Sequence, residues 1–192
     1  MFIQTEATPN PATLKFLPGK VVLEEGTADF RDAVSAGESS QLAGKIFGVP
    51  GVTGVFFGYD FVTVTKSEGP EWQHLKPAIL GAIMEHFMSG APVMANVSQI
   101  ADTAQRETDG EFFDSADTEI VDTIKELLET RVRPAVAQDG GDITFRGYEN
   151  GTVFLHMKGA CSGCPSSTAT LKHGIQNLLK HFVPEVQQVE SI

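Results

Sequence analysis

Two cysteines constrain this chain more than any other feature. Cys161 and Cys164 are the only ones in 192 residues, and they sit in Gly159-Ala160-Cys161-Ser162-Gly163-Cys164-Pro165, directly ahead of a helical pattern. A Cys-x-x-Cys unit is either a redox dithiol or half of a four-thiolate metal site. Pro165 suits a first helical turn, and Ser166, Ser167 and Thr168 can satisfy the free N–H groups there. Cys164 is then expected at the positive end of the helix dipole, which favours thiolate. Gly159 and Gly163 let backbone N–H groups approach the sulfurs, where they would stabilise the negative charge of a ligated cluster. Lys158 and Lys172 either add to that field or are ordinary exposed lysines.

Three chemistries compete for the pair. A thioredoxin-type centre needs substantial βα and ββα structure after its dithiol, whereas one helix and one short strand follow here, without a cis-proline candidate. A zinc site could draw on histidines. His173 and His181, however, lie on one helix about 12 Å apart at 1.5 Å rise per residue, too far to share an ion, which leaves His156, on a strand, as a possible ligand. An iron-sulfur cluster needs two more thiolates than one chain has. A twofold dimer supplies them, with Cys161 and Cys164 of both chains holding a [4Fe-4S] cluster at the interface. Such a cluster would be exposed and readily surrendered, which suits transfer. A thiol-disulfide oxidoreductase and a structural zinc-binding module stay as alternatives.

Bulk properties narrow the partners. The net charge of −11 works against nucleic-acid backbones and anionic lipid, so neither nucleic acid nor membrane is expected as a partner. The longest apolar stretch, Pro77 to Met88, is broken by Glu85 and His86 and falls short of the ~20 residues of a membrane span. The opening Met1-Phe2-Ile3-Gln4-Thr5-Glu6 lacks both a signal core and an Arg-rich transit pattern, so a bacterial cytoplasmic protein is expected. With no nucleophile-elbow serine, phosphate-cradling Gly-Lys-Ser/Thr loop or two-histidine metalloprotease helix, no catalytic residue is assigned and a non-enzymatic carrier is expected.

Periodicity points to an α+β protein of two small domains, each a short sheet packed against helices. Residues 1–90 carry extended segments Phe2 to Ala7 and Thr13 to Leu17 around Pro9-Asn10-Pro11. A serine-capped helix from Ser39 to Phe47 follows, then a hairpin of Val52 to Phe57 and Phe61 to Lys66. A helix from Trp72 to Ser89 carries Leu75, Ile79, Ile83 and Phe87 on one face. Residues 91–114 lose apolar periodicity and are expected to be a linker. Residues 115–192 are expected in α-β-β-α-β order. A helix with Ile120, Ile124, Leu127 and Leu128 on one stripe is disturbed or ended by Pro134. Asp139-Gly140-Gly141-Asp142 is a turn whose glycines supply positive φ, feeding strands Ile143 to Tyr148 and Thr152 to Lys158. A helix from about Pro165 and a last strand, Glu185 to Glu190, complete the unit.

Arg133-Pro134, Asp139-Gly140-Gly141-Asp142-Ile143 and the run from Gly159 through Ser167 to Leu171-Lys172-His173-Gly174-Ile175 closely resemble the NifU C-terminal-like domain. The first domain is similar to the Nfu N-terminal domain. It shares Thr8-Pro9-Asn10-Pro11, Thr13-Leu14-Lys15-Phe16, Val55-Phe56-Phe57-Gly58, Asp60-Phe61-Val62-Thr63-Val64, Trp72 and Leu75-Lys76-Pro77. The resemblance implies an iron-sulfur cluster scaffold or carrier that takes a [4Fe-4S] cluster from an upstream assembly scaffold and passes it to apo-proteins. The ligands would be Cys161 and Cys164 of a cluster-loaded homodimer. It also implies that the cysteine-free first domain serves partner docking, and that the cysteine-rich domains of full nitrogen-fixation scaffolds are missing, which suits delivery downstream of primary assembly. One departure is Ser39-Ser40-Gln41-Leu42-Ala43, where the family carries proline ahead of Leu-Ala; it is expected to alter a helix start only.

Overall fold

In the computed structural model the described residues are 1–95, 110–162 and 165–192, with the side chains of 165–167 also outside the description. The chain divides into two compact units, Met1–Asp102 and Thr103–Ile192.

The first unit is an antiparallel sheet with helices on its apolar face. Its strands are β1 (Gln4–Ala7), β2 (Thr13–Leu17), β3 (Ala28–Phe30), β4 (Val52–Phe57) and β5 (Val62–Lys66), in the spatial order β1-β2-β5-β4-β3. Register explains the core: Phe16, Val62 and Phe57 lie opposite one another, as do Leu14, Val64 and Val55, so alternate positions on three strands meet on one side. Three helices, α1 (Ala33–Ser39), α2 (Gln41–Phe47) and α3 (Trp72–Ser89), contribute to the same core. On α3 the four-residue spacing holds: Leu75, Ile79 and Ile83 are buried, and Phe87 is partly buried beside a fully buried His86.

Two elements escape sequence reading. The three residues of β3 are too few for alternation to register. The short α1 is defined by its cap, Asp32, whose carboxylate accepts from the N–H groups of Val34 and Ser35. The serine-capped helix expected from Ser39 begins instead at Gln41, with Ser40 Oγ accepting from Ala43 N–H at 3.1 Å. The same hydroxyl donates to the carbonyl of Val93 at 2.5 Å, and Ala95 N–H reaches Ser39 O at 2.9 Å. Ser40 therefore does more than start a helix, because it ties down the chain beyond α3. Val93 and Met94, expected in the linker, pack on the first unit's core.

The second unit runs from a 3-10 turn (Ser115–Asp117) into α4 (Thr118–Leu127), a π-helical turn (Leu128–Val132) and α5 (Arg133–Gln138). Strands β6 (Gly141–Glu149) and β7 (Thr152–Gly159), helix α6 (Pro165–Phe182) and strand β8 (Gln188–Ser191) follow. Strand order is β6-β7-β8, the first pair antiparallel and the second parallel. This is the α-β-β-α-β order expected, and Pro134 accounts for the interruption of its first helix. Proline has no N–H to donate, so the ladder widens ahead of it: Arg133 N–H bonds Leu128 O, five residues back, and the helix resumes. The core is made by Ile124 and Leu128 from the helical arm, Ile143 and Leu155 from the sheet, and Ile175 and Leu179 from α6.

The other end of the expected linker is bound as well. Phe112 N–H bonds Arg146 O at 3.0 Å and Tyr148 N–H bonds Phe112 O at 2.9 Å, where β6 has a bulge between Phe145 and Gly147. Gly147 has no side chain where the Phe112 ring lies; a Cβ there would fall 2.4 Å from it. Phe113 meets Phe145 edge-on, and Lys125 pairs with Glu111 at 2.5 Å. Among the described residues no helix is long and apolar enough to cross a membrane.

Candidate metal centre

The site is built on the end of the β6–β7 ladder, where Gly141 pairs with Gly159 and Asp142 with Lys158. Gly140 (φ 82°) and Gly159 (φ 63°) occupy the left-handed region that side chains avoid. Gly159 turns the chain out of β7. Ala160 N–H bonds Gly140 O at 3.2 Å, and both the N–H and the hydroxyl of Ser162 bond Gly159 O, at 3.1 and 2.9 Å. Cys161 lies inside this turn and is 6% exposed. Its sulfur rests on Gly141: a Cβ at that residue would be 2.7 Å from Sγ and 2.7 Å from Lys158 O. Only Gly140 of the two turn glycines supplies positive φ. Gly141 already belongs to β6, and its bare Cα makes room for the sulfur.

Burial pushes the Cys161 thiol up to about 12, with the negative charges of Asp139 and Asp142 adding to the effect. Without metal this sulfur is a neutral thiol near pH 7. In that state Cys161 is itself a poor attacking group for thiol-disulfide exchange, which runs through a thiolate. Arg133 forks onto Asp142, Nε to Oδ1 at 2.8 Å and Nη2 to Oδ2 at 2.9 Å, while its Nη1 reaches Glu129 at 2.6 Å. The bonds it donates to Asp142 hold the guanidinium still more firmly charged. The first turn of α6 is tied in by Thr168 Oγ1, which donates to Cys161 O at 3.1 Å.

Of the residues singled out from the sequence, Cys161 is at this junction, and Cys164 lies outside the described residues, as do Gly163 and the side chains of Ser166 and Ser167. Thr168, expected to cap N–H groups, serves the Cys161 carbonyl instead. Lys158 is buried near the end of β7 opposite Asp142, and Lys172 is engaged by Glu190 at 2.6 Å. His156 lies opposite Thr144 on the sheet, His173 is exposed on α6, and His181 stacks edge-on against Phe182. Among the described residues no three of His, Cys, Asp and Glu gather as metal ligands; Cys164, which the zinc reading also uses, lies outside them. The Arg133–Asp142 fork was not anticipated. Its two halves appear in the sequence only as neighbours of Pro134 and of a glycine turn, and the fold alone brings them together.

The fold and the site define a two-domain α+β protein that presents a cysteine-bearing turn at a strand-to-helix junction of its second unit. Residues 3–90 match the family described as scaffold protein Nfu/NifU N terminal, and residues 124–190 match the NifU-like domain. The chain belongs to the Nfu/NifU-like family. It is 53% identical over its whole length to a Drosophila erecta protein named NFU1 iron-sulfur cluster scaffold homolog, mitochondrial. It is likewise 53% identical to NifU-like protein 4, mitochondrial, of Arabidopsis thaliana. The chain spans 65% of the first relative's length and 66% of the second's. A solved NifU-like protein from Saccharomyces cerevisiae matches 50% of this chain and 86% of its own, at TM-score 0.45 and 27% identity.

These relatives overturn the expectation of a bacterial cytoplasmic protein, because they are named as mitochondrial. The physical reason is that a cellular address resides in a targeting signal and leaves no trace in the composition of the folded domains, so acidity and globular patterning do not report it.

Proposed function

We propose that this chain is a non-enzymatic iron-sulfur cluster scaffold and carrier. Two copies hold one [4Fe-4S] cluster through Cys161 and Cys164 of each, accept it from an upstream assembly scaffold, and deliver it to apo-proteins. The observation that carries the reading is one of stoichiometry: a chain of the NifU-like family has two cysteines in its sequence, three positions apart, and a four-thiolate cluster needs four. Twofold symmetry brings like turns together, so the missing ligands come from a second copy. The names of the relatives, as iron-sulfur cluster scaffold homologs, support the cargo. Cluster and thiolates are the carried substrate and its grip, and a site shared across an interface opens when the copies part. The first unit, with no cysteine, serves docking of donor or acceptor, and the domains divide as 1–90, 91–114 and 115–192, with both ends of the 91–114 linker fastened to the neighbouring unit.

The test is anaerobic reconstitution followed by iron and sulfide analysis, Mössbauer spectra and size determination. The expected result is about four irons and four sulfides per dimer, lost in Cys161→Ser and in Cys164→Ser. A monomeric holo-form, or a full cluster in either variant, would refute the reading. Stoichiometric zinc in place of iron would favour the structural module.

A further inference from the structure

We propose that the metal-free chain stores the Cys161 sulfur on the inside of the fold, in a seat made by the missing side chain of Gly141, and that cluster loading requires this sulfur to swing out. The inference rests on the iron-sulfur reading above and concerns how the site is opened. Cys161 belongs to the same apolar core as Ile143, Met157 and Ile175. Its sulfur fills the space over Gly141 so closely that a single added carbon would come within 2.7 Å of it. A cluster held between two copies must be reached from the outer side of the turn, over a metal-thiolate bond of about 2.3 Å. Cys161, 6% exposed, offers that side little surface.

The seated and turned-out positions therefore form a two-state element, and only the second ligates. The frame around the sulfur is held while it turns, by Thr168 on the Cys161 carbonyl and by Ser162 on that of Gly159. Turning out empties the seat and gives up packing, so the seated form dominates without cargo. Apparent affinity for the cluster then falls by the fraction of chains with the sulfur turned out. The stored thiol is also shielded from oxidants and stray metal until a donor arrives. Gly141 is thus a positioning residue for the ligand.

The experiment uses the metal-free full chain carrying Cys164→Ser, so that one thiol remains. Its alkylation by iodoacetamide and by a bulky maleimide is followed by mass spectrometry, folded and in urea at the same pH. Protection of about tenfold or more in the folded state, for both reagents, is expected, and smaller protection overturns the proposal. Gly141→Ala in the same background fills the seat and is expected to speed alkylation about tenfold over its folded parent. Circular dichroism reports whether that variant folds; an unchanged rate in a folded variant also overturns the proposal, and if it does not fold the parent's protection factor decides. Iron and sulfide content of the reconstituted natural chain separates the two claims. Strong protection without a cluster leaves storage standing and removes the carrier reading, whereas a cluster with an unprotected thiol does the reverse.

Discussion

Arg133 holds Asp142 by two parallel bonds, at 2.8 and 2.9 Å, and so pins the start of α5 to the start of β6 one residue from the seat of the Cys161 sulfur. The Asp142 carboxylate is 6% exposed and also accepts Ile143 N–H, so it is a buried charge whose removal from the guanidinium is costly. Arg133→Leu is expected to cost the second unit about 2–3 kcal/mol in urea denaturation, because a buried carboxylate loses the two bonds that Arg133 donates to it. Arg133→Lys recovers part of this, lacking the fork. Glu129→Gln, on the exposed side of the same guanidinium, should stay within about 0.5 kcal/mol. Equal losses in Arg133→Leu and Glu129→Gln would contradict this ranking.

Phe112 and Gly147 form a ring-over-glycine contact that anchors the segment ahead of α4 to β6. Gly147→Ala is expected to cost about 1–3 kcal/mol through overpacking. In a Phe112→Ala background the same change should be close to neutral, since the ring it collides with is gone. A double-mutant cycle on urea midpoints checks this, and coupling below about 0.5 kcal/mol would show that the two residues do not share the site.

Burial pushes the His86 imidazole below its ordinary 6.5, with the nearby Lys45 charge adding to the effect. Below that pH the unfolded chain takes up a proton that the folded unit resists. The stabilisation is therefore present above about 6.5 and lost on acidification, at up to about 1.4 kcal/mol per pH unit. His86→Leu should flatten the acid limb of the first unit's stability curve between pH 7 and about 5. Parallel curves for the two proteins would contradict this.

The Cys161 thiol acts in the opposite direction. Its folded value is raised from 9.0 to about 12, so between those values the unfolded chain has already lost its proton while the folded chain keeps it. Stability of the metal-free second unit is expected to fall as pH rises through this window, again by at most about 1.4 kcal/mol per unit. Cys161→Ala removes this contribution. Denaturation of both proteins at pH 8 and about 10.5 gives the difference, and identical losses would show that the thiol is no better shielded than in the unfolded chain.

Much of this architecture is legible from spacing. Leu75, Ile79 and Ile83 announce α3 at four-residue intervals, and the β4–β5 hairpin follows from β-branched and aromatic runs around Gly58-Tyr59-Asp60. The candidate site is legible as a motif, because cysteine spacing, glycine and proline are local properties. Elements with little local signal are not. β3 is too short to alternate, α1 is defined by a single capping aspartate, and the segment at Phe112 is recognised only by what it packs against. The linker stretch lacks periodicity at Val93 and at Phe112 alike, yet both ends are fastened to their neighbouring units.

What the amino-acid order determined unaided was the α+β class, the order of most elements and the thiol pair, since each rests on periodicity or on residues within a few positions of one another. The tertiary structure alone decided which way the Cys161 sulfur points, because that depends on Gly141 lying across the sheet register from Gly159. It also decided the partner of Arg133, because a widened helical turn and a glycine turn had first to bring two opposite charges within bonding distance. Both outcomes depend on proximity between distant positions, which the linear chain does not encode locally.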